Sequence, residues 1–415
     1  MSSGLRIVLR LLALSLFSGA VTGAGIYYRL SYLWILFLAA NWGWARLTLW
    51  GLEAERQART LRAEMGQVFE ERFTLHNRRS LRRLWVEVRD ESPLPGVRSS
   101  QVFTNLGGRE SRSYISRTLL LRRGVFPLGP TVLASSDLFG LFPVEKSFPA
   151  QSSLMVYPRM VPVRAFPEPA GALPGGEAVR RRTVQMTPNA AGVREYAPGD
   201  PLNRIHWPTT ARRERLMVKE FDLDPRADVW LFLDGEAAVQ ARRPWKVDFD
   251  VQSLWMVGEF SMPPETEEYA ACIAASLARY YLQKRRAVGL VAHTRAPDIL
   301  PPEQGSRQLH KILERLALWE ASGQLSLFGV VEAQARHLGR GSTAVLITPS
   351  PRLDIALAAE TLRIRGLRPV VVLLEHASFG GEQDSRALGQ RLAAMQIPLR
   401  VIAEGDSVEA ALSGG

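Results

Sequence analysis

The sequence predicts a mixed α/β plus all-β protein: an N-terminal two-helix transmembrane hairpin, an antiparallel β-sandwich and a doubly wound parallel sheet. Three observations support this prediction. Two apolar runs fill most of the first 50 residues. From Val68 the side chains alternate with a period of two, which is typical of half-buried strands. Beyond Asp228, apolar strands alternate with helices, as in a parallel sheet covered on both faces.

The apolar runs are Leu11–Tyr28 and Ser31–Trp50, and each approaches the roughly 20 residues that cross a membrane as a helix. The loop between them offers one basic residue, Arg29. The other basic residues precede the first run, or end or follow the second: Arg6, Arg10, Arg46, Arg56, Arg59 and Arg62. The positive-inside rule then predicts a two-pass protein of the cytoplasmic (inner) membrane, with the bulk of the chain in the cytoplasm. Two alternatives remain open: a cleaved signal peptide followed by one spanning helix, and two buried helices of a soluble protein.

Residues 1–50 are thus assigned to the hairpin and residues 51–165 to a helical stalk followed by the β-sandwich. The stalk is Glu53–Glu64, a polar and charged stretch. Short strands with turn signals between them follow, which favours a small antiparallel sandwich. Asp137–Phe142, with the sequence DLFGLF, is interpreted as an aromatic turn packed into one end of the sandwich core.

Residues 226–415 are assigned to a doubly wound, Rossmann-like α/β domain with five predicted parallel strands: DVWLFLD, AVGLVAH, TAVLIT, RPVVVLLEH and PLRVIA. The first strand is not followed by G-x-G-x-x-G, and the sequence contains no G-x-x-x-x-G-K-[ST]. Nucleotide binding by either glycine-rich device is therefore unsupported, and no cofactor is expected.

Asp234 ends the first of these strands, at the edge where such sheets bind ligands. A von Willebrand factor A type domain uses D-x-S-x-S at this position to hold a divalent cation, but this chain has Asp234-Gly235-Glu236-Ala237-Ala238. Both hydroxyls are missing, and hard cations require several oxygen ligands. The site at Asp234 and Glu236 is therefore predicted to be degenerate, and metal-dependent ligand binding through Asp234 is kept as a minor alternative.

Residues 166–225 are assigned to a linker rich in Pro, Gly and Ala, followed by a signature motif within VREYAPGDPLNRIHWPTTARR, Val193–Arg213. The motif offers ten candidate functional residues. They are Arg194, Glu195, Tyr196, Gly199, Asp200, Arg204, His206, Trp207, Ala211 and Arg212.

Three interpretations of this motif are weighed. In the first it is a latch: Tyr196, His206 and Trp207 fasten the segment onto the α/β domain, Thr209 or Thr210 caps a short helix, and Arg–carboxylate pairs fix its geometry. In the second its arginines dock a partner. In the third it is a hydrolase or anion-binding site, with His206 as general base, Asp200 orienting it and Arg194 clamping an anion. No nucleophile is marked in the sequence, which disfavours the third.

The same residues resemble the signature of the domain of unknown function 58 family, R-E-Y-x-x-G-D, then R-x-I-H-W, then A-R. Here these are Arg194-Glu195-Tyr196, Gly199-Asp200, Arg204-Ile205-His206-Trp207 and Ala211-Arg212. The upstream RRGVFPLGP and the N-terminal helices also look like that family. The chain departs from many members at Asp234-Gly235-Glu236, where D-x-S-type residues are replaced.

The resemblance implies a membrane-anchored, cytoplasm-facing protein with a von Willebrand A-like domain and no catalytic activity. It also implies partners: a MoxR-type AAA+ ATPase, and a transglutaminase-like membrane protein in some cases. The implied role is that of an adaptor or scaffold in protein assembly, maturation or envelope maintenance.

The basic composition fits a membrane surface better than nucleic acid. Lys and Arg outnumber Asp and Glu by 52 to 41, which gives a net charge of +11. The arginines are spread along the chain without a nucleic-acid motif, so no nucleic-acid partner is expected, and attraction to the anionic leaflet explains the excess. With Cys272 as its one cysteine, the chain cannot form an internal disulfide.

Overall fold

The structure, a computed structural model, describes residues 2–96, 100–167, 190–197, 205–221, 228–245, 260–294 and 296–414. Two helices come first: α1 (Ser3–Thr22) and α2 (Gly25–Thr48). Gly23 ends α1 with a left-handed backbone, φ 70°, a conformation that glycine adopts without steric cost. The chain then turns back, and the Ser15 and Ser31 hydroxyls meet at 2.9 Å between the two helices.

Within the described residues, α1 is the one helix long and apolar enough to cross a membrane. The second predicted span, Ser31–Trp50, is helical through Thr48, but it does not reach the same apolar character. Arg29, Asn41 and Arg46 lie within α2, and each lowers its hydropathy. The structure therefore supports one candidate span.

The predicted helical stalk is wrong, because Glu53–Glu64 lies largely in two strands, β1 (Leu52–Ala58) and β2 (Arg62–Glu64). The inward–outward alternation of a strand is hard to see in this stretch, because one of the inward side chains, Arg56, is charged. The Arg56 guanidinium donates to Glu71 at 2.6 and 2.7 Å and to Asp90 at 2.9 Å. A bidentate pair of this kind fixes geometry, so an apparently solvated charge is part of the sheet interior.

Three β-sheets are built from β1, β2 and the next eight strands. These are β3 (Val68–Asn77), β4 (Arg83–Asp90), β5 (Ser100–Leu106), β6 (Ser111–Leu119), β7 (Gly124–Pro127), β8 (Thr131–Ser135), β9 (Val144–Phe148) and β10 (Ser153–Tyr157). Two antiparallel sheets, β1-β3-β6 and β5-β4-β8-β9, share a core that includes Phe73, Val86, Phe103 and Leu133. The third sheet, β2-β10-β7, packs instead against the C-terminal part of the chain.

A β-hairpin with an inserted helix comes from the predicted linker region: β11 (Ala190–Glu195), α3 (Trp207–Arg213) and β12 (Met217–Phe221). Strand β11 pairs antiparallel with β12, with Arg194 opposite Val218.

The C-terminal part contains the predicted alternation of strands and helices. Its elements are β13 (Val229–Leu233), α4 (Thr266–Gln283), β14 (Val288–His293), β15 (Pro297–Glu303), α5 (Ser306–Leu318), α6 (Leu327–Gln334), β16 (Thr343–Thr348), α7 (Asp354–Ile364), β17 (Arg368–Leu374), α8 (Arg386–Ala394), β18 (Leu399–Ile402) and α9 (Val408–Ser413).

One six-stranded sheet organises these elements in the order β15-β14-β13-β16-β17-β18. Neighbouring strands are parallel except for β14 and β15. Helices α4 and α5 share an apolar cluster with one face of the sheet, and α6, α7 and α8 share a second cluster with the other face. All five predicted strands are present, whereas the edge strand β15 was not predicted.

The β-sheets and the C-terminal part meet around one buried guanidinium, that of Arg123, whose side chain is 3% exposed. It forms ion pairs with Glu267 at 2.6 Å and Glu268 at 2.5 Å in the first turn of α4. It also donates to the carbonyl oxygens of Leu316 at 2.9 Å and Trp319 at 2.7 Å at the end of α5. Arg123 therefore bridges acidic side chains at the start of α4 and backbone carbonyls at the end of α5.

We expect Arg123→Met to lower the free energy of unfolding by about 3–5 kcal/mol, because it leaves the buried Glu268 carboxylate without its partner. The matched control is Arg122→Met, since Arg122 pairs with Glu265 but its side chain is 45% exposed, and exposed pairs contribute up to about 1 kcal/mol. The measurement is the midpoint of thermal unfolding of the purified full chain in detergent. Equal shifts for the two variants would contradict the assigned role of Arg123.

Candidate functional site

The described part of the signature motif lies on strand β12 from both sides. The amide of Tyr196 donates to the carbonyl of Leu216 at 2.8 Å, and the amide of His206 donates to the carbonyl of Met217 at 2.7 Å. Ile205 forms a β-bridge with Val218. The two flanks of the motif are therefore brought together by backbone hydrogen bonds to Leu216 and Met217, whereas the fastening of the segment onto the α/β domain stays a prediction.

The helix in the motif begins earlier than predicted. It starts at Trp207, so Thr209 and Thr210 lie inside it, and the predicted threonine cap is wrong. Both hydroxyls have other partners. Thr209 Oγ1 lies 2.7 Å from His206 Nδ1, and Thr210 Oγ1 accepts from the amide of Met217 at 3.0 Å. The threonines thus secure the start of α3 and its packing on β12.

Trp207 is not the buried anchor that the sequence predicts, because 64% of it is exposed. Ala211 and Arg212 are also exposed, and Leu216 is 44% exposed. The residues that hold the hairpin are the buried Ile205, Met217 and Val218. We call the exposed set Trp207, Ala211, Arg212 and Leu216 the α3 surface.

The structure describes some of the charged side chains of the motif and not others. Glu195 pairs with Arg215 at 3.0 Å, and both side chains are exposed, so the pair adds little stability. Gly199, Asp200, Arg204 and the side chain of Arg194 lie outside the described residues. Of the proposed catalytic trio, the structure describes the side chain of His206, and that side chain faces Thr209.

A second candidate site lies at the carboxyl ends of β13 and β16, where the order of the sheet reverses. From β13 the chain adds β14 and then β15 on one side, and β16, β17 and β18 on the other. Crevices at such switch points are where open α/β sheets bind ligands. Asp234 and Thr348 meet there: the Thr348 hydroxyl donates to Asp234 Oδ2 at 2.5 Å.

Hydrogen bonds fix both side chains. Asp234 is 1% exposed, and its Oδ1 accepts from the amide of Glu236 at 3.2 Å. The amide of Ser350 donates to the Thr348 hydroxyl at 2.9 Å. The carboxylate is therefore held by one hydroxyl and one backbone amide.

Arg352 supplies the positive charge at this site. Its guanidinium forms an ion pair with Glu236, which is 6% exposed, and its Nε donates to the Ser350 hydroxyl at 3.3 Å. A more distant pair joins Arg352 to Asp354 at 3.7 Å. Sequence reasoning named Asp234 and Glu236 but missed Thr348, Ser350 and Arg352. The available signal was TPSPR, which begins at the last residue of the neighbouring strand TAVLIT.

These residues form a poor cation site while Arg352 is in place. Within the described residues, no group of three or more His, Cys, Asp or Glu side chains converges on one point. The oxygen ligands offered at the switch point are the carboxylates of Asp234 and Glu236 and the hydroxyls of Thr348 and Ser350. Arg352 already neutralises Glu236. Since Ca²⁺ and Mg²⁺ take about six or more oxygen ligands, the chemistry of this set favours an internal ion pair.

Burial raises the pKa of Asp234 from 3.8 to about 6, although the hydrogen bonds from Thr348 and from the Glu236 amide act in the opposite direction. The folded protein therefore binds this proton more tightly than the unfolded chain does. Stability from this group is complete below about pH 4 and is lost as the pH rises through about 6.

We expect Asp234→Asn to be more stable than the parent chain above pH 6, by up to about 3 kcal/mol, because no buried negative charge forms. The difference should vanish near pH 4. Thermal unfolding midpoints at a series of pH values measure it. The control is Asp384→Asn, whose parent side chain is 58% exposed. A difference that stays constant from pH 4 to pH 7 would refute the assignment.

We expect Arg352→Ala to lower the thermal midpoint and Mg²⁺ to restore part of the loss, because the unpaired carboxylates then attract a cation. Parent protein and the control Arg363→Ala, on the exposed side of α7, should show no shift with Mg²⁺. Unfolding curves with and without Mg²⁺ provide the test. An equal Mg²⁺ effect on all three proteins would mean that Arg352 does not stand in for a cation.

Comparison with known proteins identifies the signature region. The family model described as "Protein of unknown function DUF58" matches residues 192–246. The uncharacterized protein YeaD of Bacillus subtilis is 25% identical over 218 residues, which is 52% of this chain. The chain spans about half the length of that relative, 47%.

Similarity to solved structures is slight. The CARDB domain of a Pyrococcus furiosus protein, in complex with di-metal ions, overlaps 25% of this chain and 91% of its own, at 10% identity and a TM-score of 0.19. A β-glucosidase from Listeria innocua, in complex with gluconolactone, overlaps 25% of this chain and 16% of its own, at 9% identity and a TM-score of 0.17. At these TM-scores the overlaps carry no argument.

Proposed function

The chain is a member of the DUF58 family, and on that premise we propose that it is a membrane-anchored, cytoplasm-facing adaptor without catalytic activity. It works with a MoxR-type AAA+ ATPase in protein assembly, maturation or envelope maintenance. A transglutaminase-like membrane protein is a further proposed partner.

Exposed apolar side chains on both N-terminal helices support the membrane anchor. On α1, Phe17 and Val21 are each 68% exposed, and on α2, Ile26 is 68% and Leu36 72% exposed. Apolar exposure on this scale is unfavourable in water and is typical of membrane or protein contacts. We propose that α2 crosses the bilayer beside α1. The positive-inside rule then places the start of α1 and the end of α2 in the cytoplasm.

The order of the six-stranded sheet supports a doubly wound, von Willebrand A-like assignment for residues 226–415. The switch point between β13 and β16 lies where such a domain holds its cation, and this chain has the Glu236–Arg352 ion pair there. An ion pair within the chain suits recognition that does not depend on a bound metal. This favours the adaptor over the alternative of metal-dependent ligand binding through Asp234.

The exposure of Trp207 is the observation that carries the adaptor proposal. Trp207 lies in the segment that matches the family model, it is 64% exposed, and Arg212 follows on the same short helix. Trp and Arg are the side chains most enriched among residues that dominate protein–protein binding energy. The α3 surface is accordingly the proposed docking site for the ATPase.

The alternative of a hydrolase centred on His206, Asp200 and Arg194 has no specific support among the described residues. His206 is half-buried and its Nδ1 faces the Thr209 hydroxyl, a contact that a structural role explains.

We expect the double variant Trp207→Ala/Arg212→Glu to lose the ATPase. The experiment is affinity purification of the full chain from native membranes in mild detergent, followed by mass spectrometry. Recovery of the ATPase should fall at least about 30-fold, since losing a dominant contact costs at least about 2 kcal/mol.

Ile364→Ala/Arg365→Glu is the matched control, because Ile364 is 79% exposed at the end of α7 and Arg365 is exposed beside it. This variant should recover the ATPase as the parent does. His206→Asn should also keep the ATPase if the chain is an adaptor. If the purified parent chain carries no ATPase, the proposal is contradicted. Activity screens centred on His206 would then come next.

A further inference from the structure

The sequence predicts that the turn Asp137–Phe142 packs into the sandwich core, but only part of the turn does so. Leu141 is buried, but Leu138 and Phe139 are each 64% exposed. The turn holds its shape around the buried Asp137 carboxylate, which accepts from the amides of Phe139 at 3.1 Å and Phe142 at 2.7 Å. Two large apolar side chains are therefore presented outward by a fixed turn.

This turn lies beside the N-terminal helices. The Phe139 ring lies 5.1 Å from the Phe37 ring on α2, and the Ser2 hydroxyl donates to the carbonyl of Leu141 at 2.9 Å. Phe37 precedes the end of α2 at Thr48 by about 16 Å, at about 1.5 Å per residue. The tip of the turn therefore lies beside the middle of α2 and not at the end of the helix.

The loop between β3 and β4, together with the first residues of β4, extends the same surface. Leu81, Arg82 and Leu84 line a shallow cavity with Leu138 and with Trp44 of α2. Leu81 and Leu84 are 37% and 41% exposed. The loop carries further positive charge in Arg79, whose guanidinium lies 4.0 Å from the centre of the Trp50 ring.

A buried arginine joins this loop to the helices. Arg83 is 1% exposed, and its guanidinium donates to the carbonyls of Leu47 and Trp50. The first carbonyl belongs to the last turn of α2, and the second lies two residues beyond the end of the helix at Thr48. The loop, the turn and the helix end are therefore fixed relative to one another.

We propose that Arg79, Leu81, Arg82, Leu84, Leu138 and Phe139 form a juxtamembrane surface that seats on a bilayer containing anionic phospholipid. Two observations select this occupant. The surface is continuous with the exposed apolar sides of α1 and α2, and its charge is positive. Arginines beside exposed leucine and phenylalanine combine attraction to anionic headgroups with burial at the acyl boundary. The inference rests on the proposed membrane anchor.

The test uses the full chain reconstituted in vesicles, with one introduced cysteine at a time carrying a fluorophore. The native Cys272 does not interfere, since it is fully buried and burial raises the pKa of its thiol to about 12, which makes it unreactive. Phe139→Cys and Leu138→Cys report on the surface. Phe17→Cys reports on the anchor, and Ile364→Cys is the distant control.

Quenching by spin-labelled lipids gives the readout. We expect quenching at positions 17, 138 and 139, and the background level at position 364. Quenching at position 17 with background at 138 and 139 overturns the surface while the anchor stands. Background at all four positions overturns the anchor and the surface together.

A second comparison tests the choice of anionic lipid. Quenching at position 139 should be stronger in phosphatidylcholine vesicles that contain phosphatidylglycerol than in pure phosphatidylcholine. Arg79→Gln/Arg82→Gln should abolish this gain, whereas the control Arg386→Gln, whose parent side chain is 87% exposed on α8, should keep it. Equal quenching in both lipids would overturn the assignment of anionic headgroups as the ligand.

Discussion

The buried guanidinium of Arg123 is the constraint on which the arrangement of the chain depends. One apolar cluster includes Leu154 and Val156 of β10 together with Leu277 of α4 and Leu316 of α5. Apolar contacts are not directional, so they hold surfaces together without fixing an orientation. The four polar contacts of Arg123 with α4 and α5 add direction. Arg123 therefore helps to fix the orientation of the β-sheets on these helices, together with the more exposed Arg122–Glu265 and Arg62–Glu314 pairs.

The sequence was a good guide where burial is uniform and a poor one where a charge is buried. The five parallel strands could be predicted because both of their faces are covered, which produces continuous Val, Leu and Ile. Strand β1 could not, since Arg56 is interpretable as an inward residue only with Glu71 and Asp90, and these lie 15 and 34 residues away. Strand β15 was not predicted from the sequence because it contains three prolines, and proline normally argues against a strand.

The same limit applies to the candidate sites. Asp234 was found because the end of a buried strand is visible in the sequence. Thr348 was not, because it reaches Asp234 across 114 residues. The latch interpretation made Trp207 one of the side chains that fasten the motif, yet its position on the short helix α3 leaves it in solvent. A sequence without a longer helical period does not show on which side of a short helix a side chain lies.

The Glu236–Arg352 pair also has a consequence for how the molecule responds to its surroundings. A cation that is part of the chain cannot be chelated, diluted or exchanged, because its effective concentration at the site is set by the backbone. The switch point therefore presents one charge state at every level of free Mg²⁺ or Ca²⁺ in the cell. Protons remain the ionic input to the site, because the pKa of the buried Asp234 carboxyl lies at about 6.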